Sequence, residues 1–220
     1  MADTSPHPYR EISIDQQLAL HTAATRLAET FSGVYGAETI ERFLHASYDQ
    51  FATVGSIPHF LPLLAERFAR QRLQALARFE GHHRDGRPVV LFLCTHNAGR
   101  SQMALGFFTN LAGDQAVAWS GGSEPGNEVN PAAIAAMAER DIDISAEFPK
   151  PWTDEVVRAA DVVVTMGCGD ACPVFPGTRY ENWDLDDHAG LDLTNTRPTR
   201  DDIERRVHRL LDELHVAHPS

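Results

Sequence analysis

Five consecutive apolar residues, Val89-Val90-Leu91-Phe92-Leu93, run straight into Cys94, and from about Ser101 the chain reads as helix. An unbroken apolar run this short suits a strand covered on both faces, as strands are in parallel α/β sheets. The rest of the C-terminal half fits that constraint. A helix over 101–112 leads to a strand over 117–120, which closes on Gly121-Gly122. Helices are expected over 131–140 and 152–159, then a second buried strand over Asp161–Met166 and a short strand over Arg179–Asp184. The chain closes with a helix after Pro198 that carries Ile203, Val207, Leu210, Leu211 and Leu214 on one face. Strand and helix in alternation predict an open α/β sheet, with ligands at the C-terminal ends of its strands.

The first eighty residues follow a different pattern. Residues 1–10 read as a disordered tail. Leu20, Ala24, Leu27 and Phe31 then recur at helical spacing, and Gly33 follows as a stop. Ile40, Phe43, Leu44, Tyr48 and Phe51 share the face of a second helix, which Gly55 ends. A third begins near Pro58–Pro62, where proline is tolerated in a first turn, and carries Leu61, Leu64, Phe68, Leu73 and Leu76. Short connections predict antiparallel neighbours, hence an all-α three-helix bundle. The polar, Gly/Pro-punctuated stretch from Glu80 to Pro88 reads as a linker. The expected domains are therefore 1–82 and 83–220.

Nineteen basic against thirty-one acidic side chains give a net charge of −12. That argues against a nucleic acid or an anionic membrane as the main partner. Any anion site must be built locally, from backbone amides and a nearby arginine. No apolar run approaches the ~18 residues of a membrane helix, and the polar N-terminus lacks a signal-peptide core, so a cytoplasmic location is expected. The three cysteines, Cys94, Cys168 and Cys172, are too few and odd in number for a disulfide framework. Cys168 and Cys172 without a nearby His or Cys pair make half a zinc site, so no metal is expected.

Cys94 ends the buried strand and Arg100 opens the helix, with Thr95-His96-Asn97-Ala98-Gly99 between them. Five residues at that spacing can curl so that successive N–H groups converge on an anion, and the helix N-terminus adds its own free N–H groups. Gly99 and Asn97 tolerate backbone geometries that other residues resist. Arg100 offers a planar fork to two anion oxygens, and Ser101 can donate to the sulfur. The same positive field favours a thiolate at Cys94. Nucleophile and oxyanion clamp thus come from one segment, Cys94 to Ser101. His96 is expected to contribute its backbone N–H rather than act as a base, and Trp119, Trp152 and Trp183 to pack rather than bind substrate.

The segment from Val90 to Ala104 resembles the active-site segment of the low-molecular-weight protein tyrosine phosphatase fold, which one class of arsenate reductases also uses. The resemblance covers about residues 88–216. It implies an open parallel four-stranded sheet with flanking helices, here preceded by the three-helix bundle. Ser120-Gly-Gly-Ser-Glu-Pro125, Asn130–Met137, Ile142–Ser145, Pro149–Asp154 and Val163–Cys168 resemble the reductase branch. The N-terminal extension is similar to one found on some actinobacterial members. The family draws a proton donor from a late loop, and the resemblance assigns that role to Asp187, with Asp184 and Asp186 as neighbours. His188 stands where the family pattern has proline. Ala189-Gly190 offers no aromatic cover for a phenyl ring, which favours a small inorganic substrate.

The resemblance implies arsenate as substrate, with phosphate and sulfate as mimics, and no bound cofactor. Reduction needs a second thiol. Some relatives relay electrons to thioredoxin through resolving cysteines, a role open here to Cys168 and Cys172. Others, especially actinobacterial ones, use an external thiol such as mycothiol with a mycoredoxin-type partner, and the Met166–Cys172 segment looks closer to those. The alternatives are a phosphatase acting on phosphomonoesters and a non-enzymatic oxyanion-sensing module.

Overall fold

The computed structural model describes residues 12–53, 60–82, 85–167, 174–185 and 192–218. By internal packing the chain divides into two compact units, Met1–Arg70 and Gln71–Ser220.

The first unit holds α1 (Ile14–Thr30), α2 (Ala37–Thr53) and the start of α3 (Leu61–Phe79). Ser13 begins α1 with a reciprocal capping box: its hydroxyl accepts from the Gln16 amide, and the Gln16 side chain accepts from the Ser13 amide. After the helix Gly33 adopts φ +76°, a left-handed turn that glycine enters without strain. Leu20, Ala23, Leu27, Ile40, Leu44, Tyr48, Phe51, Leu61 and Phe68 are buried, and Phe51 meets Phe68 edge-on at 5.6 Å. Buried Glu66 receives a two-pronged bond from Arg26 at 3.0 and 2.5 Å and a further one from Arg70 at 3.1 Å. These arginines hold its carboxyl below the usual glutamate range, Arg26 first.

The division falls inside α3, at Arg70/Gln71, rather than in the 80–88 linker. Physically, the last turns of α3 belong to the second core. Arg72 bonds Glu155 at 2.5 Å with both side chains largely buried, and Ala75 packs beside Leu91 and Val163. Arg78 reaches Asp161 at 2.7 Å, and the same Asp161 oxygen accepts from the Val89 amide at 2.8 Å, so one carboxylate secures the start of the first strand.

The second unit is a four-stranded parallel sheet in the order β2-β1-β3-β4. Its elements are β1 (Val89–Cys94), α4 (Arg100–Ala112), β2 (Val117–Gly122), α5 (Pro131–Ala138), α6 (Asp154–Ala159), β3 (Val162–Thr165), β4 (Arg179–Asn182) and α7 (Leu193–Glu213). β1 is buried throughout, as its unbroken apolar run requires. Side chains alternate across it. Val90, Phe92 and Cys94 enter a core with Met103, Phe107, Phe108, Ile203, Val207 and Leu211, whereas Val89, Leu91 and Leu93 enter one with Trp119, Val156, Val157 and Val163. Phe92 packs edge-on against Phe108 at 5.7 Å and at a tilt against Trp183 at 5.8 Å; burying such a ring is worth about 2–3 kcal/mol. The chain leaves β1 towards β2 and then returns to the other side for β3. The strand order therefore reverses between β1 and β3, which opens a crevice where Cys94 ends its strand.

The closing helix differs from expectation. It starts at Leu193, not after Pro198, and encloses that proline. Asp192 caps it, accepting from the Asn195 amide at 3.0 Å. Lengthened this way, α7 carries Arg197 and Arg200 beside the end of α5, where both bond Glu139. These two arginines, Arg197 first, pull the Glu139 carboxyl from 4.5 down to about 2. A lowered folded value means the contribution is complete above the unfolded value and is lost as pH falls towards 2. Glu139→Gln should therefore unfold at a lower temperature than the parent near neutrality. The gap should close between pH 5 and 2, as thermal melts at stepped pH would read.

Among the described residues no helix is long and apolar enough to cross a membrane.

Candidate active site

The loop from Thr95 to Gly99 is bonded outward. The Thr95 carbonyl accepts from the Glu124 amide at 2.9 Å, His96 from Gly126 at 2.9 Å, Ala98 from Asn130 at 2.7 Å and Gly99 from Met103 at 2.9 Å. The Asn97 carbonyl accepts from the Gln102 side chain at 3.0 Å. With five successive carbonyls turned away, the amides are left on the inner side. Among the described residues those of His96, Asn97, Ala98 and Gly99 find no protein acceptor. Gly99 is the N-cap of α4 and brings no capping side chain, so the positive end of the helix dipole adds to the loop. This is the arrangement that binds an oxyanion.

Asn97 does more than tolerate its left-handed φ of +47°. Its Oδ1 accepts from the Lys150 amide at 2.9 Å, which can only donate, so its Nδ2 must face Ser101, to which it donates at 2.8 Å. The Ser101 oxygen thereby serves as acceptor and its own proton is free for Cys94 Sγ, 3.0 Å away. Asn97, Ser101 and Gln102 are buried, as is Cys94. The His96 ring turns outward, its Nδ1 lying 3.0 Å from the Glu124 carbonyl oxygen.

Cys94, His96, Ala98, Gly99 and Arg100 line one cavity of about 390 Å³. Met103, Glu128, Asn130, Ala133, Thr196 and Thr199 are among the residues that complete it, and among the described residues Arg100 is the one arginine or lysine that lines it. Arg100 is buried. The structure thus brings Cys94, the five loop residues, Arg100 and Ser101 together. Asp184 is exposed beyond the end of β4 and does not line the cavity. Asp186, Asp187, Cys168 and Cys172 lie outside the described residues.

Sequence reasoning missed the scaffold behind the loop. The Lys150 amide, fifty-three residues downstream, and the nearby Gln102 side chain, itself held by the Phe148 carbonyl at 3.1 Å, fix Asn97. Gly122 was legible only as a strand end. A Cβ there would sit 2.6 Å from the Thr95 oxygen and 3.0 Å from the Asn97 nitrogen, both backbone atoms that cannot swing aside. Gly122→Ala should therefore shift the loop and cost about 1–3 kcal/mol. The thermal unfolding midpoint checks this; an unchanged midpoint would mean that the contact is relieved elsewhere.

Residues 89–219 match the low molecular weight phosphotyrosine protein phosphatase family, and residues 20–77 match a protein-tyrosine-phosphatase-like N-terminal domain. Arsenate reductase 2 of Staphylococcus saprophyticus is 38% identical over 128 residues, which is 56% of this chain and 96% of the relative. A thioredoxin-dependent arsenate reductase of Corynebacterium glutamicum superposes with a TM-score of 0.82 at 42% identity, covering 91% of this chain and 98% of its own. An arsenate reductase solved in a phosphate-binding state superposes at 0.52 with 34% identity, over 58% of this chain and 98% of its own. With the phosphatase model matched from β1 to the C-terminus over a loop of this geometry, the chain belongs to the low molecular weight phosphotyrosine protein phosphatase family.

Proposed function

We propose that this protein is a thiol-dependent arsenate reductase that acts in the cytoplasm. The observation that carries the reading is the loop itself: five carbonyls bonded outward, free amides inward, and Ser101 beside the Cys94 sulfur. Arsenate and phosphate have nearly the same shape, so the loop supports either. The relatives' names favour arsenate, since they are arsenate reductases at 34–42% identity.

In this mechanism arsenate docks on the loop amides of Thr95–Ser101 and on the Arg100 fork. The Cys94 thiolate attacks arsenic and an S–As bond forms. One arsenate oxygen leaves as water, with a proton from Asp187. A second thiol then takes over. The S–As electron pair passes to arsenic, which departs as arsenite, and two thiols become one disulfide for each arsenic taken from +5 to +3. The Corynebacterium relative named for thioredoxin dependence supports a thioredoxin-type donor. In that route Cys168 attacks first and Cys172 resolves. Mycothiol with a mycoredoxin is the other donor, and in that route Cys168 and Cys172 are dispensable.

The test is arsenite production by purified protein with thioredoxin and its reductase, with mycothiol and mycoredoxin, and without reductant, beside an aryl-phosphate assay. Arsenite with either donor supports the reading. Aryl-phosphate turnover with no arsenite from any donor would replace it with a phosphatase.

A further inference from the structure

Gly167 follows β3 at the crevice where the strand order reverses, and no step of the mechanism uses it. Two contacts tie it to the loop across that crevice. Its carbonyl accepts from the Thr95 hydroxyl at 2.8 Å. A Cβ placed on it would lie 2.9 Å from Nη1 of Arg100, 3.7 Å from Cζ and 3.9 Å from Nη2, so the guanidinium rests against the bare α-carbon. The segment is held in place, because the neighbouring Met166 amide donates to the Leu93 carbonyl at 2.7 Å and Met166 is buried. The backbone at Gly167 has φ +78°, which an L side chain resists. The nearest heavy atoms a side chain here would meet are those of the Arg100 guanidinium, so it would press on Arg100.

We propose that Gly167 is a positioning residue for Arg100: its missing side chain and its bond to Thr95 set the guanidinium and the start of the loop in the register that meets the oxyanion. The inference rests on Arg100 being the oxyanion-binding arginine, and its test tells failure of the one from failure of the other. Misplacing a positioned group by about 1 Å can cost on the order of 10²-fold in rate.

Alkylation of Cys94 by iodoacetate and by iodoacetamide, read on the Cys94 peptide by mass spectrometry, measures anion guidance without any turnover. The parent should favour iodoacetate over iodoacetamide more strongly than a free thiol does. Gly167→Ala should lower that preference by roughly tenfold. Gly177→Ala is the control, since Gly177 has φ +90° and nothing within 4 Å of its added Cβ, and it should keep the parent's preference. In an Arg100→Lys background, which has no Nη1 to meet, Gly167→Ala should have no further effect. If Gly167→Ala melts too early to assay, thermal midpoints read the same cycle, and Gly167→Ala should lower the midpoint less in the Arg100→Lys background than in the parent. A Gly167→Ala preference equal to the control's, or an effect that persists undiminished with Lys at 100, would overturn the proposal. No anion preference in the parent would overturn the oxyanion reading of Arg100 and this inference with it.

Discussion

Cys94→Ser should abolish arsenite formation, with a loss on the order of 10⁴-fold or more, because serine at this position has no comparable nucleophile to offer. Phosphate binding should survive. The anion is held by amides whose direction depends on the outward-bonded carbonyls of Thr95–Gly99, not on the sulfur. Turnover assays paired with calorimetric titration of phosphate read both halves of the expectation. A variant that loses both would indicate that Cys94 supports the loop structurally, through its 3.0 Å contact with Ser101.

Arg100→Lys keeps the charge and loses the fork. A lysine ammonium is a point charge on a flexible stem and cannot span two oxygens in a plane. Among the described residues no other arginine or lysine lines the cavity to replace it. Losing one such oxyanion contact should lower kcat/KM by about 10²–10³-fold. The protein's net charge of −12 sharpens the effect, since long-range attraction cannot compensate for a lost local clamp. Steady-state kinetics on arsenate check this, and phosphate inhibition should weaken in parallel. A loss confined to kcat with phosphate inhibition intact would move Arg100 from anion binding to a later step.

Much of this could be read from residues close together in sequence. The strand Val89–Cys94, the turn to Arg100 and the helix after it are encoded within two dozen residues, because an apolar run, a permissive loop and a helix start are local signals. The four strands lie where the sequence suggested them, each within a few residues. What was hidden depends on distant partners. Asn97 was legible as a left-handed residue, but its orienting bond comes from the Lys150 amide. Gly122 and Gly167 matter for what their missing side chains avoid, and the colliding atoms belong to the loop after β1 and to Arg100 at the start of α4. The change of unit within α3 left no mark on its apolar stripe, because Arg72 and Arg78 find Glu155 and Asp161 eighty-three residues later. The start of α7 was misjudged by placing the helix after Pro198, while the capping signal sat at Asp192.

The most direct test of the central claim is a single-turnover quench of reduced protein mixed with arsenate and a thioredoxin-type donor, counting arsenite and thiols together. The account predicts arsenite appearing with the loss of two thiols per arsenic in the parent, and neither change in Cys94→Ser. Arsenite formed equally well by Cys94→Ser would contradict it, as would a parent that binds arsenate and oxidises no thiol.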